Sequence, residues 1–74
     1  MSVERKRSLT IAGHRTSVSL EEPFWDALKE IAAAEELTVA ALIAQVDSGR
    51  EAVNLSSALR LYVLAHYKRL ATSG

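Results

Sequence analysis

Arg15, Ser17 and Ser19 stand at alternate positions of Arg15-Thr16-Ser17-Val18-Ser19-Leu20. Alternate side chains of a strand share a face. One side of this run therefore offers a guanidinium and two hydroxyls, and the other offers Thr16, Val18 and Leu20. Arginine pairs bidentately with guanine, and serine can donate or accept at either kind of base pair. The row thus has the chemistry to read base edges, and two antiparallel copies would make a ribbon that a major groove can admit. It equally fits an ordinary solvated sheet face. A second candidate is Thr38 with the N–H groups of Val39 and Ala40, where a helix start could hold a phosphate. Lys6 and Arg7 are further candidates for phosphate contact.

Other chemistry is sparse. His14 and His66 are far apart, and there is no cysteine, so no spacing reads as a metal site. His66, on an apolar helical face, reads as a packed residue. No serine has a nucleophile-elbow context, and there is no glycine-rich phosphate loop. Neither an enzyme, a cofactor nor a metal is expected.

Seventy-four residues make one small domain, and without cysteine no disulfide can staple it. Apolar residues are 49% of the chain, but only four residues are aromatic, so aliphatic side chains must fill the core. Nine basic residues balance nine acidic ones. The balance is uneven along the chain: Arg5, Lys6, Arg7, His14 and Arg15 face one early acid, Glu4. A local basic surface can therefore exist within a neutral total. No stretch is apolar enough to span a bilayer or to serve as a secretory leader, so no membrane partner and a cytoplasmic location are expected.

Residues 1–7 read as a flexible basic arm. Residues 8–11 and 15–20 both alternate, with opposite parity, around Ala12-Gly13. A hairpin there would set Ile11 opposite His14 and Leu9 opposite Thr16. Leu9, Ile11, His14, Thr16, Val18 and Leu20 would then share a face, and Ser8, Thr10, Arg15, Ser17 and Ser19 would share the other. The alternative is that residues 8–13 form an arm and only 14–20 pair.

Three helices should follow. The first starts near Glu21 or Glu22, with Pro23 in its opening turn. Phe24, Ala27, Leu28, Ile31 and Ala32 mark its buried stripe, and Trp25 lies beside that stripe, half exposed. A polar break at Glu35-Glu36-Leu37-Thr38 precedes the second helix, with Thr38 as N-cap. Val39, Leu42, Ile43 and Val46 would be buried there, and Gly49 could close the helix in the left-handed conformation. The third helix spans about 55–70, with Asn54 as N-cap, although Ser48 with Glu51 could start a helix earlier. Leu55, Leu59, Tyr62, Val63, His66 and Leu70 form one stripe. Leu61, Leu64 and Tyr67 fall outside it, so this helix should contact two bodies.

A strand and two helices cannot enclose a core, and a second copy is the obvious partner. Thr16, Val18, Leu20, Phe24, Leu28, Ile31, Leu42, Ile43 and Val46 would form that shared core. Assembled in this order, the chain resembles the ribbon-helix-helix family over residues 14–47. The carrying residues are Arg15 to Leu20, then Phe24, Leu28 and Ile31, then Thr38-Val39-Ala40-Ala41-Leu42-Ile43. The run from Lys6 to Ser17, with Phe24-Trp25-Asp26-Ala27-Leu28, is similar to a bacterial subgroup of small, mostly uncharacterised members.

The resemblance implies a mainly α fold with a short β-ribbon, an intertwined homodimer and, usually, transcriptional repression. It also implies that Arg15, Ser17 and Ser19 read bases while Thr38, Val39 and Ala40 hold a phosphate. The organisation expected is an arm over 1–7, a ribbon-helix-helix domain over 8–47 and a helical extension over 48–74. The partner expected is double-stranded DNA. The competing reading keeps the fold for dimerisation and binds a protein, as some antitoxins do, through the 55–70 helix.

Overall fold

The computed structural model describes residues 4–49 and 54–72. Strand β1 (Glu4–Ile11) pairs antiparallel with β2 (His14–Glu21). Helices α1 (Glu22–Ala34), α2 (Val39–Gly49) and α3 (Leu55–Thr72) follow.

Of the two alternatives at residues 8–13, the hairpin forms. Ala12 and Gly13 both have positive φ, at 51° and 83°. Two such residues match the twist of the flanking strands in a two-residue turn. Glycine adopts this backbone without penalty and alanine does not. The register sets Ile11 opposite His14, Leu9 opposite Thr16, and continues to Glu4 opposite Glu21.

Residues 4–7 are consequently not a loose arm but the first half of β1, while residues 1–3 lie outside the described part. Side chains hold this half as well as backbone pairing. Arg7 donates to Glu22 Oε1 at 2.6 Å, and Arg5 lies 3.4 Å from the same oxygen. Arg7 also stacks over the Trp25 ring, 4.9 Å from its centre.

The helix ends follow local chemistry. Pro23 sits in the first turn of α1, and Glu22 places a carboxylate at its positive end. Glu36 N–H donates to Ala33 O and Leu37 N–H to Ala32 O, the paired bonds of a Schellman motif. Glu36 occupies the left-handed position, with φ 58°. Thr38 Oγ1 accepts from Ala41 N at 3.0 Å and caps α2. Asn54 Oδ1 accepts from Ser57 N at 2.8 Å and caps α3. Gly49 does not take the left-handed conformation; it is the last residue of α2. Glu51 lies outside the described residues.

One chain encloses its own core. Val18, Leu20, Leu28, Ile31, Leu42, Ile43 and Leu59 are all essentially inaccessible to solvent. The hairpin and α3 supply the two layers that a single strand and two helices lack, so these residues need no second copy to leave water. Thr16, Phe24 and Val46, expected in the core, are only partly buried. Trp25 exchanges places with Phe24 and is 3% exposed. The hairpin reaches back far enough to lay Arg7 on the indole. Phe24 turns to the rim under Arg60, whose guanidinium carbon is 5.9 Å from the ring centre.

Candidate functional site

The hairpin has two chemically distinct faces. Ile11, Val18 and Leu20 point into the core, with Leu9 packed against it. The opposite face carries Lys6, Ser8, Thr10, Arg15, Ser17 and Ser19, with the acids Glu4 and Glu21 at its far end, as the register requires. The first six are exposed except Ser19, which is partly covered. Arg15, Ser17 and Ser19 thus share one polar surface, and β1 adds Thr10 opposite Arg15, Ser8 opposite Ser17 and Lys6 opposite Ser19. Lys6 and Arg15 make no ion pair among the described residues, so the surface carries two uncommitted positive charges. It contains no apolar side chain, which is what a surface meeting a polar, anionic ligand needs.

Arg7 is not part of this surface. It shares the core face with Val18, its register partner, and is engaged by Glu22 and Trp25. Parity separates it from Lys6: adjacent strand residues point to opposite faces. Neither Arg7 Nε nor Trp25 Nε1 has a hydrogen-bond partner among the described residues.

Backbone geometry defines the edge of the site. Residues flanking a two-residue turn exchange both hydrogen bonds, and bonded pairs then alternate along the hairpin. His14, Thr16, Val18 and Leu20 therefore bond to β1. The N–H and C=O groups of Arg15, Ser17 and Ser19 point away from it, along the outer edge of β2. One contact bears directly on this geometry: Ser19 N–H donates to Ser56 Oγ of α3 at 3.4 Å.

Around the end of that edge lies a cluster of charge. Arg60 Nε donates to Glu21 Oε1 at 3.0 Å, and its NH2 group donates to Glu4 Oε2 at 2.8 Å. The Arg60 hydrogen bond holds the Glu21 carboxyl below its ordinary range, helped by the Glu21 backbone N–H, and burial only partly opposes this. A shallow polar cleft of about 350 Å³ runs between β2 and the start of α3, past Ser17, Ser19, Asn54, Ser56 and Arg60.

Thr38, Val39 and Ala40 do open a helix. The Thr38 hydroxyl is committed to Ala41 N–H, leaving the N–H groups of Val39 and Ala40 outside the cap. Sequence patterning missed Lys6 as a member of the same face as Ser19. Extending the alternation of residues 8–11 two positions earlier would have found it. Nothing in the sequence marks Ser56 or Arg60, which reach the strand only through the packing of α3.

Among the described residues no cluster of His, Asp and Glu could hold a metal ion, and no helix is long and apolar enough to cross a membrane. On α3, Leu61 and Leu64 are more than half exposed, with Tyr67 and Leu70 also open to solvent. Leu70 leaves its expected stripe because the helix has by then run past the core, whose last buried residue is Val63.

A family model described as a ribbon-helix-helix domain matches residues 4–67. Among solved structures, an uncharacterized protein from Bordetella pertussis Tohama I is similar, with a TM-score of 0.80 and 38% sequence identity. The match covers 96% of this chain and 61% of that one, so this chain spans less than two thirds of that neighbour's length. No curated protein matches the chain.

Proposed function

The chain belongs to the ribbon-helix-helix domain family, and from that premise we propose that it is a sequence-specific DNA-binding regulator, most simply a repressor, acting as a homodimer. Domains of this family generally bind DNA or serve in antitoxin-like regulation. The observation that carries the reading is the polar outer face of the hairpin, with Lys6 and Arg15 uncommitted to any acid among the described residues.

The outward backbone groups of Arg15, Ser17 and Ser19 suit antiparallel pairing of β2 with β2 of a second copy, centred on Ser17. The sheet would then have four strands, with β1 on each flank. At roughly 4.8 Å between strands, its outer backbones stand about 14 Å apart. A major groove is about 12 Å wide. The two central strands would therefore face the base edges, and the flanking β1 strands would lie over the phosphate backbones. In this arrangement Arg15 reads a base with support from Ser17 and Ser19, and Lys6 meets a phosphate. The N–H groups of Val39 and Ala40 fix the register on the backbone.

A gel shift with DNA from immediately upstream of the gene tests the reading. Specific binding that weakens steeply with salt supports it. A second reading, a protein-binding module, is favoured by the exposed Leu61, Leu64 and Tyr67 of α3. Absence of DNA binding even at low salt would select that reading instead.

A further inference from the structure

We propose that the first turn of α3 is a latch on the outer edge of β2, and that it must leave Ser19 before a second copy can pair along the whole strand. The inference rests on the ribbon reading above and concerns the regulation of that same surface.

The geometry is steric as well as polar. Ser56 Oγ lies 3.4 Å from the outward N–H of Ser19. A neighbouring strand would run about 4.8 Å from β2. A helical turn whose side-chain oxygen already touches the edge fills that space. In a ribbon centred on Ser17, the Ser19 N–H would donate to the Arg15 carbonyl of the second copy. Ser56 and that carbonyl compete for one hydrogen. Arg15 and Ser17 have no contact of this kind from α3, so the block falls at one end of the strand.

The latch is built to open. Its Ser19–Ser56 contact, at 3.4 Å, is longer than an ordinary N–H···O hydrogen bond and correspondingly weak. Arg60 ties α3 to both strands through Glu21 and Glu4, but all three side chains are partly exposed, so water and salt weaken these pairs. Burial is graded along the helix. Leu55 and Ala58, in the first turn, are at 9% exposure, whereas Leu59 is at 0%. The first turn can therefore leave the edge while Leu59 and Val63 keep the rest of α3 in the core. Covering an exposed edge is a common guard against unwanted strand pairing. Here the guarded edge is the one the proposed function needs, so the same contact limits when the ribbon forms.

The test uses the full chain. Dimerisation is measured by sedimentation, and DNA binding by anisotropy, for the native protein, Ser56→Ala, Arg60→Gln and the double variant. Loosening the latch raises the fraction competent to pair, so the double variant should dimerise about tenfold more tightly. Raising salt should tighten the native dimer and leave the double variant unchanged. The opposite arm locks the contact. The chain has no native cysteine, so Ser19→Cys with Ser56→Cys can form only the intended bond within a monomer. The oxidised monomer should stay monomeric and recover dimerisation on reduction. Equal dimerisation in every form, oxidised pair included, would overturn the latch and leave the ribbon reading intact. Monomers throughout, with no DNA binding at low salt, would remove the ribbon reading and the latch together.

Discussion

The guanidinium of Arg7 lies over the indole of Trp25, with 4.9 Å between its central carbon and the ring centre, and Glu22 holds it there. This contact joins the start of β1 to α1 and gives Arg7 a structural role. Arg7→Ala should lower stability by about 1–2 kcal/mol, from the lost cation–π contact and ion pair. Urea denaturation measures it. A variant as stable as the native chain would show that the hairpin end does not depend on this stack.

Lys6 and Arg7 are neighbours in sequence and should separate in DNA binding. Lys6→Ala should flatten the slope of log affinity against log salt by about one per chain. Folded Arg7→Ala should leave the slope unchanged. Equal slopes for the two variants would mean that the outer face of the hairpin does not meet the phosphates.

Arg15→Ala should cost roughly 1–3 kcal/mol of specific affinity and relax the preference at one base position. Competition binding against a panel of single-base operator changes reads this out. Loss spread evenly over all positions would make Arg15 a backbone contact rather than a reader.

Glu36 holds the left-handed position that closes α1, where a side chain costs about 1–2 kcal/mol relative to a residue without one. Glu36→Gly should raise stability by about 1 kcal/mol, less than that full relief because glycine also loosens the unfolded chain. Thermal melts of the two proteins compare directly, and a lower melting temperature for the variant would contradict this account of the turn.

Glu21 predicts an acid limb. Its carboxyl is held below the ordinary value of 4.5, chiefly by the Arg60 hydrogen bond. A carboxyl depressed in the folded state contributes stability above its unfolded pKa, and this is lost as pH falls through the lowered folded value. Melting temperature should therefore fall as pH drops below about 4.5, and Glu21→Gln should fall less steeply over that interval. Parallel curves for the two proteins would mean that the Arg60 pair does not stabilise the fold.

Local pattern and tertiary packing contributed different things. Alternation over residues 15–20, Pro23 after two acids, and the caps at Thr38 and Asn54 all report on neighbours within four residues. Such signals are legible because the backbone acts on them directly. They placed the strand, the three helices and the two faces of the hairpin, and so brought Arg15, Ser17 and Ser19 to one surface. They could not decide whether Ala12-Gly13 closes a hairpin, because alanine at positive φ is tolerated only when the strands on either side pair well. Nor could they tell that Trp25 is buried and Phe24 rimmed. Adjacent helical positions differ by about 100°, and the partner that selects between them, Arg7, is eighteen residues away. Closure of the core within one chain, the loss of Arg7 from the polar face, and the seating of Ser56 and Arg60 on β2 belong to the tertiary structure alone. Each depends on contacts between segments that approach only once the whole chain is packed.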